Sequence, residues 1–227
     1  SKEVFTNNKI EFDMKGELIG FDNGVYDLKN DTFRNYHYDD YITFTTGHNF
    51  YEKCDIKKKD ELKEFIKSFM PDDEIRKLYM EILATGLEGK TLQNFIIFNG
   101  KGGNGKSIMD EYMGFLLGDY AYIDCPSALL TEKQNSNANP AKFKLNKKRF
   151  VCVKEPNEDM PFQNAIIKEL TGGSRTSGRN LHSNNCDINL HLTLIVEANK
   201  VPILSAEPTD GELRRYIDLL FPYKFSN

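Results

Sequence analysis

QNFIIFNGKGGNGKSIMDEY, residues 93–112, carries the strongest structural signal in the chain. Phe95, Ile96, Ile97 and Phe98 make a short continuous apolar run, the pattern of a buried strand. Gly100, Gly105, Lys106 and Ser107 then fall on the spacing G-x-x-x-x-G-K-[ST], which is that of a phosphate-binding loop. Ile108, Met109, Tyr112, Met113, Leu116 and Leu117 follow at helical spacing. The loop therefore has the context it requires, a strand before and a helix after.

The residue types suit a triphosphate. Backbone N–H groups at a helix N-terminus attract anions. Gly100, Gly102, Gly103 and Gly105, with Asn104 among them, let the main chain wrap phosphates without Cβ clashes. Lys106 would reach the β- and γ-phosphates, and the Ser107 hydroxyl would serve Mg²⁺.

Working outward, the chain has 227 residues, 39% of them hydrophobic, with no Trp and a net charge of −4. That is enough for one large domain, or for a domain plus an appendage. No apolar run approaches the roughly 18 residues of a membrane span, and no secretory signal is expected. Cys54, Cys125, Cys152 and Cys186 lack C-x-x-C spacing and read as reduced thiols of a cytosol-like compartment. The acidic balance argues against a surface that coats DNA throughout but allows a local basic groove. Acidic residues dominate the first 90 positions and basic residues dominate 140–184. A start at Ser rather than Met suggests a piece of a longer protein, and the Lys/Asn/Ile-rich composition suggests an AT-rich genome.

Residues 1–50 read as small β-structure. Leu18–Phe21 and Val25–Leu28 flank the turn Asp22-Asn23-Gly24, and Thr32-Phe33 follows a second turn. Tyr36, Tyr38, Tyr41 and Phe44 read as strand residues of this small sheet. Residues 60–86 read as two helices. Asp60 is expected to cap the first, and Lys57-Lys58-Lys59 to form a solvated loop before it. Asp72 caps the second, whose buried stripe is Ile75, Leu78, Tyr79, Ile82 and Leu83, with Gly86 as its terminator.

Beyond the loop helix, Ala121–Ile123 reads as a strand and 133–140 as a polar loop. Phe150–Val153 reads as a second buried strand ending at Lys154-Glu155-Pro156-Asn157-Glu158. A carboxylate at such a strand end can polarise water or hold Mg²⁺; Glu155 is the first choice and Glu158 the second. Phe162–Leu170 reads as a helix stopped by Gly172-Gly173. A β-hairpin is expected between Arg179 and Asp187, with His182 near its tip as a DNA contact or an exposed residue. Leu190–Val196 reads as one strand that carries Asn199 just beyond its end. Tyr216–Phe221 is the last strand, preceded by Arg214-Arg215. That pair is either a surface feature or an arginine finger, which would need a second subunit's nucleotide.

In their order, GKGGNGKS, RFVCVKEP, IIKELTGGSRTSGR, LIVEANKVP and GELRRYIDLLFPYKF resemble the superfamily 3 helicases, nearest to the helicase-primases of large DNA viruses and phage-type mobile elements. The resemblance is good from Leu92 to Phe225. It extends to IGFDNGVYDL and the helices before the loop. It implies an α/β fold with a P-loop NTPase (AAA+-like) core. The central sheet would be mostly parallel, with helices on both faces. Residues 91–227 would form that core, and residues 1–90 a small N-terminal β and helical extension.

The resemblance also implies roles. Lys106 and Ser107 match the Walker A pair, Glu155 the Walker B acid, and Asn199 the γ-phosphate sensor of motif C. Arg215, with Arg214 second, matches the arginine finger. Lys168, Arg179 and the following turn, with His182, match the region of a DNA-facing hairpin. ATP and Mg²⁺ are the implied cofactors. The implied partners are single-stranded DNA, other copies of the chain in a ring (usually a hexamer), and a primase domain in the full-length protein, at replication sites of an infected cell. There are two departures. Ser174 stands where relatives often have Asp, and Glu197 stands two before Asn199 where a small or hydroxyl residue is common. A P-loop phosphotransferase and a non-motor ATP-binding oligomerisation module are the alternatives.

Overall fold

The fold is described by a computed structural model over residues 10–132, 139–157, 159–173, 175–178 and 186–225. Strands β1 (Leu18–Phe21), β2 (Gly24–Asp27) and β3 (Thr32–Arg34) form an antiparallel sheet in that order. The tyrosines beyond it are not strand residues. Tyr38 lies in a short 3₁₀ turn and is 80% exposed, while Tyr36 donates its hydroxyl to the Phe21 carbonyl at 2.6 Å. The segment after the turn is held instead by Asp13, which accepts from the N–H groups of Thr43 and Phe44.

Helix α1 (Ile56–Phe69) begins earlier than the sequence suggests. Asp55, not Asp60, is the cap, and its carboxylate accepts from the N–H groups of Lys57 and Lys58. Lys57-Lys58-Lys59 therefore form the first helical turn rather than a loop. Positive charge there opposes the helix dipole. The side-chain cap and the Lys57–Glu61 pair one turn on offset it. Helix α2 (Asp73–Thr85) is capped by Asp72 and ends at Gly86, as expected. Its buried stripe is narrower than expected: Tyr79, Ile82 and Leu83 are buried, whereas Ile75 and Leu78 are exposed.

The rest of the chain alternates strand and helix. In order it comprises β4 (Phe95–Asn99), α3 (Lys106–Leu117), β5 (Ala121–Tyr122), α4 (Ala128–Thr131), α5 (Pro140–Lys144), β6 (Phe150–Lys154) and α6 (Asn164–Thr171). The hairpin β7 (Arg175–Gly178) and β8 (Cys186–Asn189) follows, then β9 (Thr193–Ala198), α7 (Asp210–Leu213) and β10 (Tyr216–Leu220). Helix α6 starts two residues late because Phe162 is used otherwise: it is fully buried and bridges to Leu204. The single strand expected over Leu190–Val196 is divided. Leu190 and Leu192 are buried but lie between β8 and β9, where the chain passes from the hairpin into the main sheet. The hairpin itself is antiparallel, pairing Arg175 with Asn189.

Five strands form one wholly parallel sheet in the order β10-β4-β9-β6-β5. Alternate residues serve opposite faces, which explains the continuous apolar runs. Ile96, Phe98, Cys152, Ile195 and Leu219 pack against Ile66 and Phe69 of α1, Tyr79, Ile82 and Leu83 of α2, and Met109, Met113 and Leu117 of α3. Phe95, Ile97, Val151, Val153, Leu194 and Val196 pack against α4 and α6 through Leu129, Leu130, Ile166, Ile167 and Leu170. Each such side chain contributes about 1.5–3 kcal/mol when fully buried. Residues on both sides of position 90 thus share one apolar layer. Arg149 adds a polar tie, donating to the carbonyls of Leu87 at 2.8 Å and Leu18 at 2.6 Å while its guanidinium lies 4.3 Å from the centre of the Tyr120 ring.

Candidate active site

Because the sheet is parallel, the C-terminal ends of β4, β6 and β9 lie together, and the loop 100–105 leaves β4 among them. Gly100 has φ +154°, and a Cβ there would stand 2.5 Å from the Phe221 carbonyl oxygen, so no other residue fits. Gly105, with φ +86°, is the N-cap of α3. The chain beyond β10 braces the loop: Phe221 N–H donates to Asn99 O at 2.7 Å and Phe225 N–H to Gly103 O at 2.8 Å. The Phe225 ring stacks on Phe65 with centroids 6.1 Å apart.

Lys106 is 5% exposed, and its ammonium donates to the Gly100 carbonyl within the loop. Burial lowers its pKa, while Glu197, Asp110 and Glu155 pull it back up. Asn104 is also buried, and its Nδ2 donor has no partner among the described residues. A buried cation, an unpaired donor and the start of a 12-residue helix suit a polyanion.

A cavity of about 390 Å³ is lined by Gly102–Ile108, Glu155, Glu197, Ala198, Asn199 and Phe225. A second, of about 230 Å³, continues beyond Glu155 and Asn199. Glu155 is exposed just past β6 with φ +44°, a conformation that is uncommon outside glycine, and its N–H donates to Glu197 O at 3.1 Å. Asn199 is exposed just past β9. Glu197 itself is 3% exposed, and its Oε2 accepts from the Ser107 hydroxyl at 2.9 Å.

Below these groups lies a buried polar cluster that sequence reasoning did not find. Asp110 on α3 accepts from the Cys152 thiol at 3.2 Å, and ligand atoms of Asp110, Cys152 and Glu197 lie within 4.8 Å of one another. Burial, then the hydrogen bond and charge of Glu197, push the Asp110 carboxyl well above its usual range. Burial does the same to the Cys152 thiol and the Tyr79 phenol. Asp110 Oδ1 and Glu197 Oε1 have no donor among the described residues. A protonated Asp110 can donate to the neighbouring Glu197 carboxyl group, which supplies the missing partner. The signal available in the sequence was a carboxylate inside the apolar run LIVEA, which has to have partners when buried.

The remaining candidates lie elsewhere. Arg215 O accepts from Phe95 N–H at the opposite end of β4 from the loop; its side chain is half-buried and reaches Thr171 Oγ1 at 3.4 Å. Arg214 is exposed. Lys168 is exposed on α6, within electrostatic reach of Glu212. Glu158, Ser174, Arg179 and His182, with the expected hairpin tip, lie outside the described residues.

The oxygen donors Ser107 Oγ and the Glu155 carboxylate fit a hard cation such as Mg²⁺ beside a nucleotide. Among the described residues no helix is long and apolar enough to cross a membrane.

Loop, parallel sheet and strand-end groups together define an α/β protein with a P-loop-type core. Comparison with known proteins narrows the class. Residues 2–71 match the family described as D5 N terminal like. An Acanthamoeba polyphaga mimivirus protein provisionally named helicase L207/L206 is 30% identical over 94% of this chain and 22% of its own length. Primase D5 of Fowlpox virus is 29% identical over 96% of this chain and 29% of its own. The chain is thus similar to proteins of large DNA viruses that are named as helicases or as primase D5. It spans less than a third of their length. In fold it is similar to the apo C-terminal region of NrS-1, with a TM-score of 0.58 at 18% identity, over 72% of this chain and 38% of that one.

Proposed function

We propose that the chain is the ATP-hydrolysing motor module of a viral helicase-primase, a superfamily 3 DNA helicase domain. The observation that carries this reading is convergence: the Gly100–Ser107 loop, Glu155 and Asn199 leave three neighbouring parallel strands and line one cavity. ATP phosphates would lie on the loop N–H groups, with Lys106 at the β- and γ-phosphates. Glu155 would orient and deprotonate the attacking water, and Asn199 would hydrogen-bond the γ-phosphate. Bound Mg²⁺ would neutralise charge developing on the phosphates; Ser107 and Glu155 are the residues that would hold it.

The arginine pair is at the far end of β4, five residues long. At about 3.3 Å per residue it cannot reach its own loop, so a finger from this pair acts on a neighbouring copy. The exposed stripe Ile108, Tyr112 and Phe115 on α3, beside the loop, offers apolar surface for such a neighbour. In this reading a ring of copies, six in the family's usual arrangement, encloses single-stranded DNA. The hairpin β7–β8 and Lys168 supply the DNA-facing side, and a primase domain belongs to the full-length protein. ATP hydrolysis measured with and without single-stranded DNA tests the reading; turnover indifferent to DNA would favour a self-contained phosphotransferase.

A further inference from the structure

We propose that Glu197 is a positioning residue that holds the Ser107 hydroxyl for Mg²⁺ binding, and that buried Asp110 holds Glu197 in turn. The proposal rests on the nucleotide-binding reading above and adds a residue to it. Ser107 has one proton and two lone pairs. Donating the proton to Glu197 Oε2 at 2.9 Å leaves the lone pairs to face the cavity, where a cation beside the phosphates would lie. Partners of this kind, one step behind a metal ligand, fix its orientation and raise its basicity.

Four further observations support it. Glu197 is 3% exposed, so its oxygens require partners; Oε1 has no donor among the described residues, and the Asp110 carboxyl group lies beside it. Asp110 is itself fixed by the Cys152 thiol, so the chain Cys152–Asp110–Glu197–Ser107 runs from the core to the loop. Lys154, the register partner of Glu197 on β6, pairs with Asp124 at 3.2 Å and Glu111 at 3.5 Å. The Glu197 carbonyl also accepts from Glu155 N–H, so the same residue holds the Ser107 hydroxyl and the main chain of Glu155.

The test is equilibrium binding of a fluorescent methylanthraniloyl-ATP, measured with Mg²⁺ and again with EDTA, together with Mn²⁺ binding followed by electron paramagnetic resonance. Glu197→Gln removes the charge at constant shape and is expected to fold. Its affinity should fall about tenfold with Mg²⁺ and stay near wild type in EDTA, with a matching loss in Mn²⁺ affinity. Glu197→Ala should lose more, again only with metal. Wild-type metal dependence in both variants would overturn the proposal. So would an equal loss with and without metal, which marks a merely structural role. Lys106→Ala separates this failure from failure of the underlying reading. If that variant binds the nucleotide as wild type does, the nucleotide site is wrong. If it loses binding while the Glu197 variants keep their metal dependence, only the role of Glu197 is wrong.

Discussion

The backbone N–H of Phe95 donates to the Arg215 carbonyl at 2.6 Å, which fixes the arginine pair at the foot of the strand whose top carries the phosphate loop. In the proposed ring, the two ends of β4 would supply two halves of a site shared between copies. Arg215→Ala and Arg214→Ala should each bind ATP as wild type does. The one that supplies the finger should lose turnover by about 10³-fold or more. Arg214 is the exposed member and Arg215 is held at Thr171, so the comparison decides between them. Mixing the inactive variant with Lys106→Ala subunits should restore some turnover, measured as phosphate release.

Lys106→Ala should abolish hydrolysis and leave the fold intact. Its ammonium donates within the loop, to Gly100 O, so among the described residues its removal breaks no hydrogen bond between the loop and another element. Circular dichroism and phosphate release on the same sample check both halves of this statement.

Arg149→Met should destabilise the chain by about 3 kcal/mol, because the Leu87 and Leu18 carbonyls lose their donor in a buried place. In a domain of this size each kcal/mol moves Tm by about 2–4 °C, which thermal melts will resolve. Arg149→Lys should recover little, since one ammonium cannot span both carbonyls.

Asp110→Asn should be tolerated, because its amide can donate to Glu197 as neutral Asp110 does. The folded-state pKa of Asp110 is raised, so folding favours its protonated form. The wild-type contribution is therefore greatest below the unfolded value of about 3.9 and falls as pH rises toward the folded value. The Asn variant does not titrate. Its stability relative to wild type should grow as pH rises from 4, read from denaturant melts at several pH values. Asp110→Leu, which leaves Glu197 without a donor, should be the destabilised control.

Much of this architecture was legible in the residues. Phe95–Phe98, the glycines after it and Asp72 with Gly86 each carry a local signal strong enough to place a strand, a loop and a helix. What escaped was set by tertiary partners. Ile56–Lys59 is too charged to look helical until Asp55 caps it. Leu190 and Leu192 look like strand residues because they are buried, yet they only pass between two sheets. Arg149 reads as the end of a basic run, and only the fold shows two carbonyls waiting for it. Glu197 reads as a departure from a motif, and only the meeting of β9 with α3 shows the serine it holds.

A ring motor is distinguished by ATP hydrolysis of the purified chain, measured with and without single-stranded DNA over a range of protein concentrations, beside Lys106→Ala. Specific activity that rises with both DNA and protein concentration, and vanishes in Lys106→Ala, is the result expected of a motor with sites shared between copies. Turnover independent of both, or retained in Lys106→Ala, would contradict it.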